Sequence, residues 1–233
     1  MKWQDAAFLL AVSINALLIV VFSAHFLIVL PLVLLQGLLL SGLLEALHQS
    51  LHYNFFRSRL MNTVFGLFAG AVLLINFTKY RYFHLEHHRS TNAANDPEQV
   101  FYKEPPGKLL SLLFAPFYQL LFSAAINRSR YVPAHKRRES AISFLAILAF
   151  VLAMTALAFV APVLVILLYV IPFCVFAWFD YFLNQGEHYG RPLRAKTKRR
   201  PCRYRQRHSA PRLLWCLMPV SQLSPRSSRL SHD

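Results

Sequence analysis

Two long apolar blocks set the pattern of the chain. Ala6 to Leu47 runs for 42 residues with Glu45 as its only charged side chain, and Ala141 to Leu183 runs for 43 with only Asp180. A hydrocarbon core about 30 Å thick takes about 20 apolar residues to cross, so each block is twice the length of one crossing. Each also weakens near its middle, at Ser23-Ala24-His25 and at Pro162. The pattern predicts two helical hairpins with four spans, over residues 6–22, 26–47, 141–160 and 163–183. A cleaved signal peptide over residues 1–24 competes for the first span, because Lys2 precedes the apolar run and Phe22-Ser23-Ala24 resembles a cleavage site. The second apolar run follows at once, which favours a span.

The segments between and after the blocks are mixed. Val64 to Phe77 is an apolar run of 14, too short to cross, and is expected to be a re-entrant or interfacial helix. Leu109 to Ile126 is 18 residues long but contains Pro116, Ser111, Gln119 and Ser123, and is expected to be interfacial. From Arg191 onward Arg, Lys, Ser and Pro dominate, and helical periodicity fades. The chain therefore divides into a membrane domain over 1–190 and a basic tail over 191–233, disordered or frame-shifted.

Composition and charge sharpen this reading. An apolar fraction of 56% and a mean hydropathy of +0.39 coexist with a formal charge of +15, as in a basic membrane protein. Of 25 Lys and Arg residues, one is Lys2, twelve lie between Arg57 and Arg138, and twelve lie between Arg191 and Arg229. Neither hairpin tip carries any. Cytoplasmic flanks collect such residues, so the termini and the central segment are expected in the cytosol. The tail carries +11, which suits an anionic lipid surface, and no nucleic-acid partner is expected. Three cysteines, one in a span and two in the tail, give no disulfide framework. The Asn127-Arg128-Ser129 sequon falls on the cytosolic side and reads as chance.

Histidines supply the candidate chemistry. His48 and His52 stand at i and i+4 directly after the second span, so they share one helical face. They suit two ligands of one metal, or a polar helix end. His84, His87 and His88, at i, i+3 and i+4, line a second stripe with three imidazoles. Zn, Cu, Fe and Ni all accept imidazole, so ligand type alone leaves the metal open. Asn184 and His188 repeat the i, i+4 spacing at the cytosolic end of the fourth span, where they also fit a plain helix terminus before Tyr189-Gly190.

Together, His48-Gln-Ser-Leu-His52 with the following Tyr53 to Asn62, His84-Leu-Glu-His87-His88 with Asp96-Pro97, and Asn184-Gln-Gly-Glu-His188 resemble the membrane-bound di-iron fatty acid desaturase family over about residues 40–190. The resemblance implies an all-α integral membrane fold: four transmembrane helices in two hairpins, with interfacial and cytosolic helices carrying the histidine cluster. It implies that His48, His52, His84, His87, His88 and His188 bind two iron ions, with Asn184 approaching through a water. Gln49, Glu187 and Asp96 would support those ligands. It also implies dioxygen as co-substrate, a fatty acyl or membrane lipid substrate, and a redox protein as electron donor, for which a basic face is suited.

Two positions depart from the family pattern. Gln49 stands where many members have Glu, a change expected to act on ligand orientation. The third box, H-x-x-H-H, is missing, since the tail holds only His208 and His232. The 233-residue chain is thus expected to lack a complete site, its last 40 or so residues reflecting a change of reading frame. A hydroxylase, a carotenoid-modifying relative and a catalytically dead membrane module are the alternatives, with a zinc hydrolase less favoured. Oligomeric state is not encoded in any of these features.

Overall fold

A computed structural model describes residues 3–91, 93, 95–98 and 108–188; the side chains of residues 3, 4, 108–112, 114–116 and 184–188 lie outside that description. The described part is all helical: α1 (Trp3–Val21), α2 (Phe26–Leu51), α3 (Arg59–Val72), α4 (Phe77–Ser90), α5 (Lys108–Arg128), α6 (Arg137–Val160), α7 (Pro162–Val165) and α8 (Ile171–His188). A 3₁₀ turn at Ala134–Lys136 leads into α6, and a π-helical turn at Ile166–Val170 joins α7 to α8.

Three helical stretches are long and apolar enough to cross a membrane: Phe26–Leu51, Ala134–Val160 and Pro162–Leu183. α6 turns Phe144, Leu145, Leu148, Leu152 and Phe159 outward, a face that a hydrocarbon solvent accommodates and water would not. The chain is accordingly a multi-pass membrane protein. The expected first span differs from the others. Its described apolar part, Asp5–Val21, reaches about 25 Å at 1.5 Å per residue, and the Phe22–His25 turn ends it.

The core forms where α2, α3, α4, α5 and α8 meet, around Leu47, Leu51, Leu73, Ile75, Ile126 and Phe176. α2 and α8 approach closely at Gly37, where a Cβ would stand 2.5 Å from the Val175 side chain and 2.9 Å from the Pro172 carbonyl oxygen. Small residues allow such contact between membrane helices, whose association rests on packing.

The apolar run 64–77, expected to be a re-entrant or interfacial helix, is not one continuous helix, and its bend fits a broken span or the re-entrant alternative. It is split by a 98° bend between α3 and α4. Leu74 adopts φ 58°, and the Ile75 amide donates back to the Gly70 carbonyl at 2.7 Å. Asn76 then caps α4 by accepting from the Lys79 amide at 3.0 Å. The corner is clasped from three sides. Asn127 of α5 donates to the Leu74 carbonyl at 2.9 Å and accepts from the Asn76 amide at 2.8 Å. Asn76 donates to the Ser140 carbonyl of α6 at 2.9 Å, and the Tyr169 hydroxyl donates to the Val72 carbonyl at 2.8 Å. These bonds fix where α4 begins, and so where its histidines fall. The expected interfacial helix over 109–126 is α5, a single helix whose outer face carries exposed Leu113, Phe117, Leu120 and Leu121.

Candidate metal centre

His48 lies in the last turn of α2, and His52 is the residue that ends it. Termination is sharp because Tyr53 takes φ 56° while Asn54 donates to the Gln49 carbonyl at 3.0 Å. The Tyr53 ring packs under Arg81, 4.0 Å from its centroid. The loop beyond is held by buried Asn62, whose oxygen accepts from the Phe55 and Phe56 amides at 3.2 and 3.0 Å. Its amide donates to the Phe56 and Ser58 carbonyls at 2.8 and 2.7 Å. These are residues of the segment that follows the first histidine pair in the family resemblance, and their work here is structural.

α4 brings its stripe against that end of α2. Ring centroids of His48 and His84 stand 4.5 Å apart, those of His84 and His88 4.3 Å, and His52 lies 5.3 Å from each of the three. One ring nitrogen from each of His48, His52, His84 and His88 falls within 4.8 Å of the others, an arrangement that can hold a metal ion. His87 stands at the edge of the group, its ring 5.7 Å from that of His84.

Carboxylates grip the outer nitrogens. Nδ1 of His84 meets Glu98 at 3.1 Å, Nδ1 of His87 meets Asp96 at 2.8 Å, and Nδ1 of His48 faces Glu45 at 3.4 Å. An ionised carboxylate only accepts, so these contacts place the ring protons on Nδ1 and leave Nε2 as an acceptor. Nε2 of His48 and Nε2 of His84 then point at each other 2.9 Å apart. Two lone pairs at that distance repel unless a cation lies between them. Ligands bound at right angles to one ion at about 2.0–2.1 Å stand about 3 Å apart, which fits.

Electrostatics point the same way. Burial, then the neighbouring histidines, lower His52 to about 3 and His88 to about 4. Burial also lowers His84, against the opposing pull of Glu98. Neutral imidazole is the metal-binding form, so these rings are ready to ligate at neutral pH. His87 is raised instead: burial works against its charge, but the hydrogen bond to Asp96 and the charges of Glu98 and Asp96 overcome it. Beneath the cluster, burial holds the Tyr80 phenol protonated, reinforced by Glu98, Asp180 and Glu45.

Of the residues expected at this site, His48, His52, His84 and His88 come together, while His87 and Asp96 sit beside them as a bonded pair. Gln49 donates to Glu45 at 2.5 Å and so acts on His48 through that carboxylate. α8 extends to His188, but the side chains of Asn184, Glu187 and His188 are outside the described ones, as is all of 189–233. Glu45 and Glu98 are the residues the sequence reading passed over. Glu45 carried a signal, being the lone charge of an apolar block three residues before His48. Glu98 carried little, being one acid in a polar loop.

The sequence model of the fatty acid desaturase family matches residues 24–220. The chain belongs to the fatty acid desaturase family. The match covers the histidine-bearing helices and continues past Gly190 into the basic tail. Over 91 residues the chain is 29% identical to a Delta(12)-oleate desaturase of Trichosanthes kirilowii, covering 34% of this chain and 25% of that protein. The aligned part thus spans a quarter of the length of that desaturase.

Proposed function

We propose that this protein is a membrane oxidoreductase of lipid metabolism that desaturates a fatty acyl chain at a histidine-ligated di-iron centre on the cytosolic face. The observation that carries the reading is the facing pair of acceptor nitrogens, Nε2 of His48 and of His84, 2.9 Å apart. His48, His52, His84 and His88 would hold iron, with His87, His188 and Asn184 completing the ligand set. When bound, the metal supplies the activation of dioxygen by which two hydrogens leave adjacent acyl carbons and oxygen ends as water, with electrons from a separate redox protein.

The residues around the site give this reading its support. Glu45, Glu98 and Asp96 fix ring orientation through Nδ1, and Gln49 fixes Glu45. Buried Tyr80 keeps its proton next to His84, their ring centroids 6.0 Å apart, so its hydroxyl stays a neutral hydrogen-bonding group beside the site. The helical register of α8 sets residues 184 and 188 one and two turns beyond buried Asp180, whose charge bears on Tyr80. An acidic electron carrier and an acyl lipid are the expected partners, the former for the basic cytosolic segments.

Product analysis of lipids from cells expressing the chain tests the reaction. Loss of two hydrogens at one carbon–carbon bond is the expected outcome; insertion of an oxygen would make the protein a hydroxylase. Within these 233 residues no H-x-x-H-H follows Gly190, and a second reading is a catalytically dead membrane module. Unchanged lipids together with a purified chain free of iron would support that module and sink the enzyme.

A further inference from the structure

Where the end of α5 meets α4 and the loop after it, an open pocket of about 460 Å³ is lined by Phe83, Pro97, Arg128, Ser129, Arg130 and Tyr131. It takes no part in the metal chemistry described above. Arg128 and Arg130 are exposed, and among the described residues no carboxylate forms an ion pair with either. The nearby acids are engaged elsewhere: Glu86 with Arg89, Asp96 with His87, and Glu98 with His84 and His87. Lys79 adds a third cation nearby, its ammonium on the Asn127 carbonyl. The Ser129 hydroxyl oxygen is buried and has no hydrogen-bond partner. A buried hydroxyl without a partner is costly and uncommon, so a ligand that accepts from it is a natural occupant.

The location selects the kind of anion. The outer face of α5 is a row of exposed apolar side chains, Leu113, Phe117, Leu120 and Leu121, and it leads directly to Arg128. Tyr131 follows, exposed, as aromatic residues do at the level of lipid head groups. An apolar stripe ending in paired arginines matches a molecule with acyl chains and a negatively charged head. We propose that this pocket binds the phosphate of an anionic membrane phospholipid, Arg128 and Arg130 pairing its charge and Ser129 donating a hydrogen bond to it. The lipid would rest against Pro97, which sits between the two carboxylates that orient His87 and His84.

Native mass spectrometry of the full chain in detergent, titrated with phosphatidylglycerol, tests the site. One tightly held phosphatidylglycerol per chain is expected, with diacylglycerol failing to compete. Arg128→Gln with Arg130→Gln should weaken retention about thirtyfold, at about fivefold per charge near a membrane surface. Arg128→Lys with Arg130→Lys should largely preserve it, which separates charge loss from misfolding. Removing two charges from the tail instead, with Arg199→Gln and Arg200→Gln, should leave the bound lipid in place. Equal loss from the tail variant, equal binding of diacylglycerol, or full displacement by millimolar inorganic phosphate would overturn the proposal, the last by making the site one for a small free anion.

Discussion

At His84 the two ring nitrogens have separate tasks: Nδ1 is held by Glu98 and Nε2 faces His48. Glu98→Gln keeps the shape and removes the charge, so it should weaken metal binding about ten- to hundredfold while the fold persists. Cobalt titration of the purified protein would read this, and an unchanged affinity would remove Glu98 from the site. The same residues predict a pH response of the metal-free protein. His52 at about 3 and His88 at about 4 bind protons more weakly folded than unfolded, and His84 is lowered too. Stability from these three should fall as pH drops below the unfolded value of about 6.5 and keep falling toward 4. His87, raised, opposes them: its contribution is fully present below about 6.5 and fades as pH rises through its folded value. Melting temperature in detergent should therefore decline from pH 6.5 to 4. His52→Asn with His88→Asn should flatten the decline, and a curve identical to the parent would refute the assignment.

The element that matters most for the site is the bend between α3 and α4. A Cβ on Gly70 would stand 2.5 Å from the Ile75 carbonyl oxygen, backbone that cannot move without reopening the corner. Gly70→Ala should destabilise the protein by about 1–3 kcal/mol and shift α4, lowering metal affinity along with melting temperature. Full metal affinity with an unaltered melting curve would show that the corner does not position the histidines. Loss of Asn62 acts on the other side. Asn62→Leu strands the Phe55 and Phe56 amides and removes a donor from the Phe56 carbonyl, each such group costing about 1–3 kcal/mol where it is buried without a partner, while the Ser58 carbonyl keeps the residue-62 amide; urea unfolding should show the loss. The sequence pointed to one helix through the apolar run Val64 to Phe77 and to a helical stripe at His84, His87 and His88. It did not announce the turn, because Leu73-Leu74-Ile75 looks like more of the same run. Only contacts with Asn127, Ser140 and Tyr169, 51 to 97 residues away, make breaking the helix there favourable.

For the whole molecule, the charge pattern predicts that cysteines placed near Ser23 or Pro162 react with an impermeant label outside intact cells while one at Asn95 does not. Labelling at Asn95 would reject the orientation. Among the described residues four histidines make one compact metal site, and the di-iron reading adds His87, His188 and Asn184, so the purified chain should carry about two metal ions; a single ion per chain would mean that these further residues complete no second site. Composition and periodicity by themselves determined that this is a helical membrane protein, because the cost of exposing backbone to hydrocarbon leaves a 40-residue apolar block few other states. Helical spacing likewise determined that His48 shares a face with His52, and His84 with His88, since that depends only on residues four apart. Tertiary structure alone decided that the two pairs meet, that His87 turns to Asp96, and that Glu45 and Glu98 complete the design. Those contacts join segments up to 36 residues apart, and nothing in a local pattern records which distant side chain a folded helix will bring within 3 Å.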